Sequence, residues 1–232
     1  GALAPFREKL LGEAASRPQP LLAWAEAAAG AGDHAAAREA FAKLAEHRDA
    51  AVRARASLGL GESLERLGDL AGARERLEAA LPALESSDER AAARLRLARI
   101  AGLAGDFAAA EAHARAGLDE PGGHEILLLV QLGNALSRLG SPDEARAALE
   151  DALRRAEAAG DRRLVATALG HLGIVRSAGG ELEAARDLFT RALSEAEAGG
   201  DTAVLPVHLL NLAGVHEALH EPALAIDLLR RA

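Results

Sequence analysis

The chain has 232 residues, half of them hydrophobic but only 2% aromatic, and 35 acidic residues against 27 Lys and Arg give a formal charge of −8. The hydrophobic fraction excludes a disordered chain, and Ala and Leu outnumbering β-branched and aromatic residues favours helix over strand. The lack of Cys excludes disulfides, thiolate metal sites and Cys nucleophiles, and an acidic balance without a basic block argues against a nucleic-acid partner.

In chain order, residues 3–16 read as a short helix stopped by Arg17-Pro18-Gln19-Pro20. It fits either a lead-in helix over 1–17 or the second helix of an upstream repeat. From residue 18 onward six turn signals punctuate the chain: Gly32-Asp33, Gly68-Asp69, Gly105-Asp106, Gly140-Ser141, Gly180-Glu181 and His220-Glu221. Their spacing, 36, 37, 35, 40 and 40 residues, predicts a solenoid of six helix-turn-helix repeats over 18–232. Gly can end one helix in the left-handed conformation, and the Asp or Ser after it can cap the next. Ser141-Pro142-Asp143-Glu144 reads as the fullest such start, and Ser86-Ser87-Asp88-Glu89 as a capping box. Asp119-Glu120-Pro121-Gly122-Gly123, between repeats 3 and 4, is the loop richest in breakers and the candidate hinge. Pro206 predicts that the first helix of repeat 6 starts late or bends. The last helix carries Leu224, Leu228 and Leu229 with no covering helix after it, so its outer face is expected to be partly apolar and open to self-association.

Aligned on the turns, the repeats share columns. Eight residues before the turn stand Trp24, Leu60, Leu97, Leu132, Leu172 and Leu212, each followed by Ala or Gly; five residues after it every repeat has Ala, from Ala37 to Ala225. Nine residues after it stand Phe41, Leu77, Ala114, Leu149, Phe189 and Leu229, the knob of the second helix. Small residues beside large ones let two helix axes approach to about 8–10 Å. These columns resemble the tetratricopeptide repeat (TPR) family, best in LLVQLGNALSRLGSPDEARAALEDAL (128–153) and ALGHLGIVRSAGGELEAARDLFTRAL (168–193). The resemblance implies an all-α fold, a right-handed α-solenoid of six TPR-like repeats. The 40-residue spacing is similar to the longer-helix variety of kinesin light chains and bacterial STAND-class regulators. Repeats 1 and 3 depart most, with Ala28, Ala101 and Ala114 where the family has large residues.

One motif carries the pattern of a zinc hydrolase: His216-Glu217-Ala218-Leu219-His220. Yet His216 stands in a packing column, His220 stands at the turn, and too little chain follows to supply a third ligand. No G-x-S-x-G or phosphate-binding glycine loop is present. We therefore expect no enzyme activity, no metal and no cofactor. The run Ile126 to Val130 is far shorter than the ~20 apolar residues of a membrane span. No signal-peptide pattern opens the chain, so no membrane partner and a cytoplasmic location are expected.

The resemblance also implies where a ligand would lie: nine, six and two residues before each turn, on the inward face of the first helices. In this sequence that stripe includes Glu62, Arg96, Arg99, Gln131, Asn134, Arg138, His171 and Asn211. Long-period family members place Asn at the first of these positions to hold a peptide backbone, which Gln131 and Asn211 approximate and His171 does not. The candidate binding residues are Arg96, Arg99, Gln131, Asn134, Arg138, His171 and Asn211, with an acidic ligand group expected at Arg96 and Arg99. The competing reading makes them ordinary solvated residues, with Arg96 and Arg99 paired to Glu62 and Glu65. The expected function is a protein-interaction scaffold for an extended peptide or helix. The alternative is a sensor module of a larger STAND-type regulator or kinase.

Overall fold

The computed structural model describes residues 4–232, and the regular structure among them is entirely helical. A lead-in helix, α1 (Ala4–Glu13), precedes six antiparallel pairs. These are α2 (Pro18–Gly30) with α3 (His34–Leu44), α4 (Ala50–Arg66) with α5 (Leu70–Ala80), and α6 (Ser87–Leu103) with α7 (Phe107–Leu118). The second half adds α8 (Glu125–Arg138) with α9 (Pro142–Ala159), α10 (Arg162–Ala178) with α11 (Leu182–Gly199), and α12 (Leu205–Ala218) with α13 (Pro222–Arg231). Residue 3, the first of the expected lead-in helix, lies outside the described residues. Pro18 and Pro20 sit in the first turn of α2, where a missing N–H costs nothing, so they open that helix as well as closing the one before. α12 does start late, with Pro206 in its first turn.

Each turn is closed by the same bond. The N–H of Asp33, Asp69, Asp106, Ser141, Glu181 and Glu221 donates to the carbonyl five residues back, at 2.8–3.0 Å. This geometry puts the preceding residue at positive φ, 79–86° for the five glycines and 62° for His220. Asp33, Asp69 and Asp106 then accept the N–H of the third residue on, at 3.1, 2.9 and 3.1 Å. Ser141 makes no such bond, against the expectation of a full capping box there, and Pro142 with the acidic Asp143 and Glu144 starts α9 instead. The 40-residue spacing has a direct cause: α9 and α11 are 18 residues long, against 11, 11 and 12 for α3, α5 and α7.

In repeats 2, 4 and 5 the second-helix knob sits over the small residue of the first helix, whereas Leu229, expected as the knob of repeat 6, is half exposed. A Cβ added to Gly61, Gly133 or Gly173 would stand 2.6, 2.5 or 2.7 Å from Leu77 Cγ, Leu149 Cγ or Phe189 Cε1. Repeat 3 has Ala98 in place of Gly and compensates with the small knob Ala114. Repeat 1 has Ala25 and a large knob, and there the Phe41 ring packs over Gly59 of the next repeat. First helices also touch one another down the stack, α2 to α4, α4 to α6, α6 to α8, α8 to α10 and α10 to α12, whereas successive second helices make no comparable contact. Closer spacing on one side bends the stack toward that side, so the first helices line its inner face.

Contacts at two places refine the reading of the element ends. The 119–123 loop is tied down: Arg90 grips Glu120 through two bonds of 2.8 Å and Gly123 N–H donates to Asp88 at 3.1 Å. Arg90 also holds the Glu120 carboxyl below its usual range. On α13, Leu228 faces the core while Leu224, Ile226 and Leu229 are about half exposed. The apolar outer face therefore contains Ile226 where Leu228 was expected.

Candidate functional site

The inner stripe belongs to the first helices, whose opposite sides are fixed by the buried columns Leu60, Leu97, Leu132, Leu172 and Leu212. None of the eighteen stripe positions is buried. The stripe is thus an open face from repeat 1 to repeat 6.

Its chemistry changes along the stack. At repeats 1 and 2 a hollow of about 380 Å³ is lined by Glu26, Phe41, Arg55, Glu62 and Glu89. Arg55 Nε meets Glu26 Oε1 at 2.9 Å, and Glu89, with no cation paired to it among the described residues, leaves this end slightly acidic. At repeats 2 and 3, Arg96 Nη2 lies 2.8 Å from Glu62 Oε2, and Arg96 Nη1 lies 3.3 Å from Glu65 Oε2. Arg99 Nη2 is 2.5 Å from Glu65 Oε1, close enough for an ion pair but off hydrogen-bond geometry. Glu65 is deeply buried, its side chain only 3% exposed, so both cations serve to pay its desolvation and to join α4 to α6. The four charges cancel. Arg96 and Arg99 lie on the expected face, but they bring no net positive charge to a ligand.

Gln131 and Asn134 are half-buried on α8, and neither amide makes a hydrogen bond to another of the described residues. Arg138 is exposed, with its guanidinium 5.0 Å from the Phe107 ring centroid and no carboxylate paired to it among the described residues. Such stacking leaves the N–H edge of the guanidinium available for an anion.

At repeats 5 and 6 the face becomes apolar. Ile174, Val207 and Leu210 are 44%, 55% and 51% exposed. Two adjacent hollows share Ile174 and Asn211: a shallow one of about 450 Å³ reaching Leu210 and Phe189, and a smaller one of about 180 Å³ between α10 and α12. The smaller one brings together His171, Asn211 and His208. Burial pushes the His171 imidazole below its ordinary value, and the neighbouring His208 adds to this. Burial also pushes His208 down, with Asp201 pulling the other way. Both shifts favour the neutral imidazole.

His208 was not among the residues singled out from the sequence. It stands one turn before Asn211, off the stripe positions, and its signal is Gly170, whose missing side chain makes room for the ring. The zincin-like motif is taken apart by the fold. His216 Nδ1 is held 2.6 Å from Glu221 Oε2, and His220 lies past the end of α12 in the left-handed turn. Among the described residues no three His, Asp or Glu side chains are placed to hold a metal ion.

Two family models described as tetratricopeptide repeat match the sequence, one over residues 22–88 and one over residues 125–198. No curated protein matches it. Among solved structures, a STAND protein with a tetratricopeptide repeat sensor from Pyrococcus horikoshii superposes with a TM-score of 0.74 at 15% identity, over 97% of this chain and 37% of that one. The Rap protein complexed with competence and sporulation factor gives 0.74 at 14% identity, over 83% and 56%. YrrB, described as a TPR protein with an unusual peptide-binding site, gives 0.57 at 19%, over 76% and 84%. The chain thus spans only part of the first two proteins, and at these identities the likeness is one of fold.

Proposed function

The chain belongs to the tetratricopeptide repeat family, and on that premise we propose that it is a non-catalytic scaffold whose inner face holds an extended segment of a protein partner. The observation that carries this reading is the row of open polar groups. Gln131, His171 and Asn211 recur at the equivalent position of three stacked helices, with Asn134 one turn further along α8, and none has a hydrogen-bond partner among the described residues. An amide offers a peptide group both a donor and an acceptor, so such a row suits a backbone laid along the stack. An acidic ligand group pairs with Arg138, because the charges of Arg96 and Arg99 are already met. The Rap protein complexed with competence and sporulation factor, and YrrB with its peptide-binding site, support the same reading by fold.

A second reading is a sensor module whose partner changes the state of an attached domain, favoured by the fold likeness to the STAND protein's repeat sensor. Both readings use the same face. The deciding measurement is affinity for a partner recovered with the whole chain as bait, for Asn134→Ala, Asn211→Ala and Arg138→Ala, each with unchanged helicity. Loss of about 0.5–1.5 kcal/mol is expected for each Asn and about 1.5–3 kcal/mol for Arg138. If all three bind like the unaltered chain while substitutions on the second helices abolish binding, the outer surface is the site.

A further inference from the structure

The hollow between α10 and α12 differs from the rest of the inner face in lining, size and one unmet polar group. Its walls are Gly170 and Ile174 on one side and Val204 and Val207 on the other, with no carboxylate, Lys or Arg among the lining residues. The hollow at repeats 1 and 2, by contrast, is lined by Glu26, Arg55, Glu62 and Glu89. A charged group moved into an uncharged apolar lining loses hydration without gaining a partner, so the occupant is uncharged. Its volume, about 180 Å³, is below the roughly 300 Å³ at which small-molecule sites begin. It has the size of one side chain.

His208 supplies the polar handle. It is only 6% exposed, yet neither ring nitrogen has a hydrogen-bond partner among the described residues, and Nδ1 is sealed from solvent. The sealed edge faces Gly170, with Cε1 and Nδ1 standing 2.8 and 3.3 Å from where a Cβ would be. A sealed N–H with no acceptor is costlier than a sealed lone pair, which puts the ring proton on Nε2. The unsealed Nε2–H is then the donor that His208 offers to an occupant of the hollow it lines. On the other side of Ile174 and Asn211 lies the second, shallower hollow. In an extended peptide, residues two apart point the same way about 6.5–7 Å from one another, so a chain passing Asn211 can place one side chain in each hollow.

We infer that the α10–α12 hollow is a specificity pocket for one uncharged aliphatic side chain of an extended peptide. The adjoining peptide carbonyl accepts from His208 Nε2, and Asn211 bonds the backbone beside it. The inference rests on the groove reading above, and its test separates the two. A phage-displayed library of random dodecapeptides is selected on the whole chain. The recovered peptide, synthesised with blocked termini, is titrated against the unaltered chain, Val207→Glu, His208→Leu and Asn134→Ala, each with its melting curve checked. Val207 is more than half exposed, so its replacement leaves the core alone. The selected peptides should share one aliphatic position. Replacing that residue by Asp, or Val207 by Glu, should weaken binding about tenfold or more, and His208→Leu about tenfold. Peptides that bind Val207→Glu unchanged but lose affinity for Asn134→Ala would overturn the pocket and leave the groove standing, as would a shared position that is charged. If no peptide is selected, or the selected peptides are indifferent to every one of these variants, both ideas fall.

Discussion

His220 is the one residue with a Cβ at the six left-handed turn positions; the other five are glycine. An L-residue there costs about 1–2 kcal/mol, and replacement by Gly returns about 0.4–1 kcal/mol of that through a freer unfolded chain. His220→Gly should stabilise the chain by about 0.5–1 kcal/mol, seen as a higher urea midpoint with unchanged slope; a lower midpoint would show that the ring makes a compensating contact. His208 gives a pH prediction. Its folded pKa is depressed by burial, against the pull of Asp201 in the loop before α12, and its ring neighbour His171 on α10 is depressed too. As pH falls, the unfolded chain takes up these protons first. The stabilisation is therefore complete above about pH 6.5 and is lost progressively below it. Melting temperature should drop between pH 7.5 and 5.5, and by less in His208→Leu; an identical drop in that variant would remove His208 as the cause. The six turn residues were plain in the sequence because each turn needs a particular backbone. His208 was not, because its meaning depends on Gly170 in another helix, 38 residues earlier.

Between elements, the repeat works by matching volumes. Gly61, Gly133 and Gly173 stand under large knobs, while Ala98 stands under the small Ala114, both fully buried in one cluster. Ala114→Leu alone should overpack the α6–α7 crossing and cost about 1–3 kcal/mol. Ala98→Gly alone should cost about 1 kcal/mol in helix propensity. Together they recreate the pairing of repeats 2 and 4, so the double variant should be at least ~1 kcal/mol more stable than the two changes summed. Simple additivity in urea titrations would mean the two positions do not share a crossing. This pairing was half legible: the columns were visible, but their covariation gains meaning only once the helices are seen to touch. Local signals left two details open. Ser141 has a capping sequence but makes no cap bond, and the breaker-rich loop at 119–123 is pinned by Arg90 and Asp88.

Over the whole molecule, the inner stripe was readable as a set of positions, since equivalent residues of stacked helices must align. Its electrostatics were not, because Glu65 is buried under Arg96 and Arg99 only through the approach of α4 to α6. The same stacking governs how the molecule opens. Each helix pair contacts only its neighbours, so stability is nearly a sum of local terms and the ends, with one neighbour each, open first. α13 buries only Ala225 and Leu228 and packs mainly on α12, whereas α8 and α10 are enclosed by helices before and after them. Amide exchange should therefore be slowest in α8 to α10 and fastest in α1 and α13. The proposed pocket is built half from α10, in the protected part, and half from α12, near the fraying end. A peptide bound there contacts only the closed arrangement of the two, and so stabilises it by mass action. A saturating concentration of the selected peptide should slow exchange in α12 and α13 markedly, in α10 less, and in α2 to α4 hardly at all. Uniform protection in the free chain would contradict the nearest-neighbour account, and slowing centred on α2 to α4 would move the ligand to the acidic end of the groove.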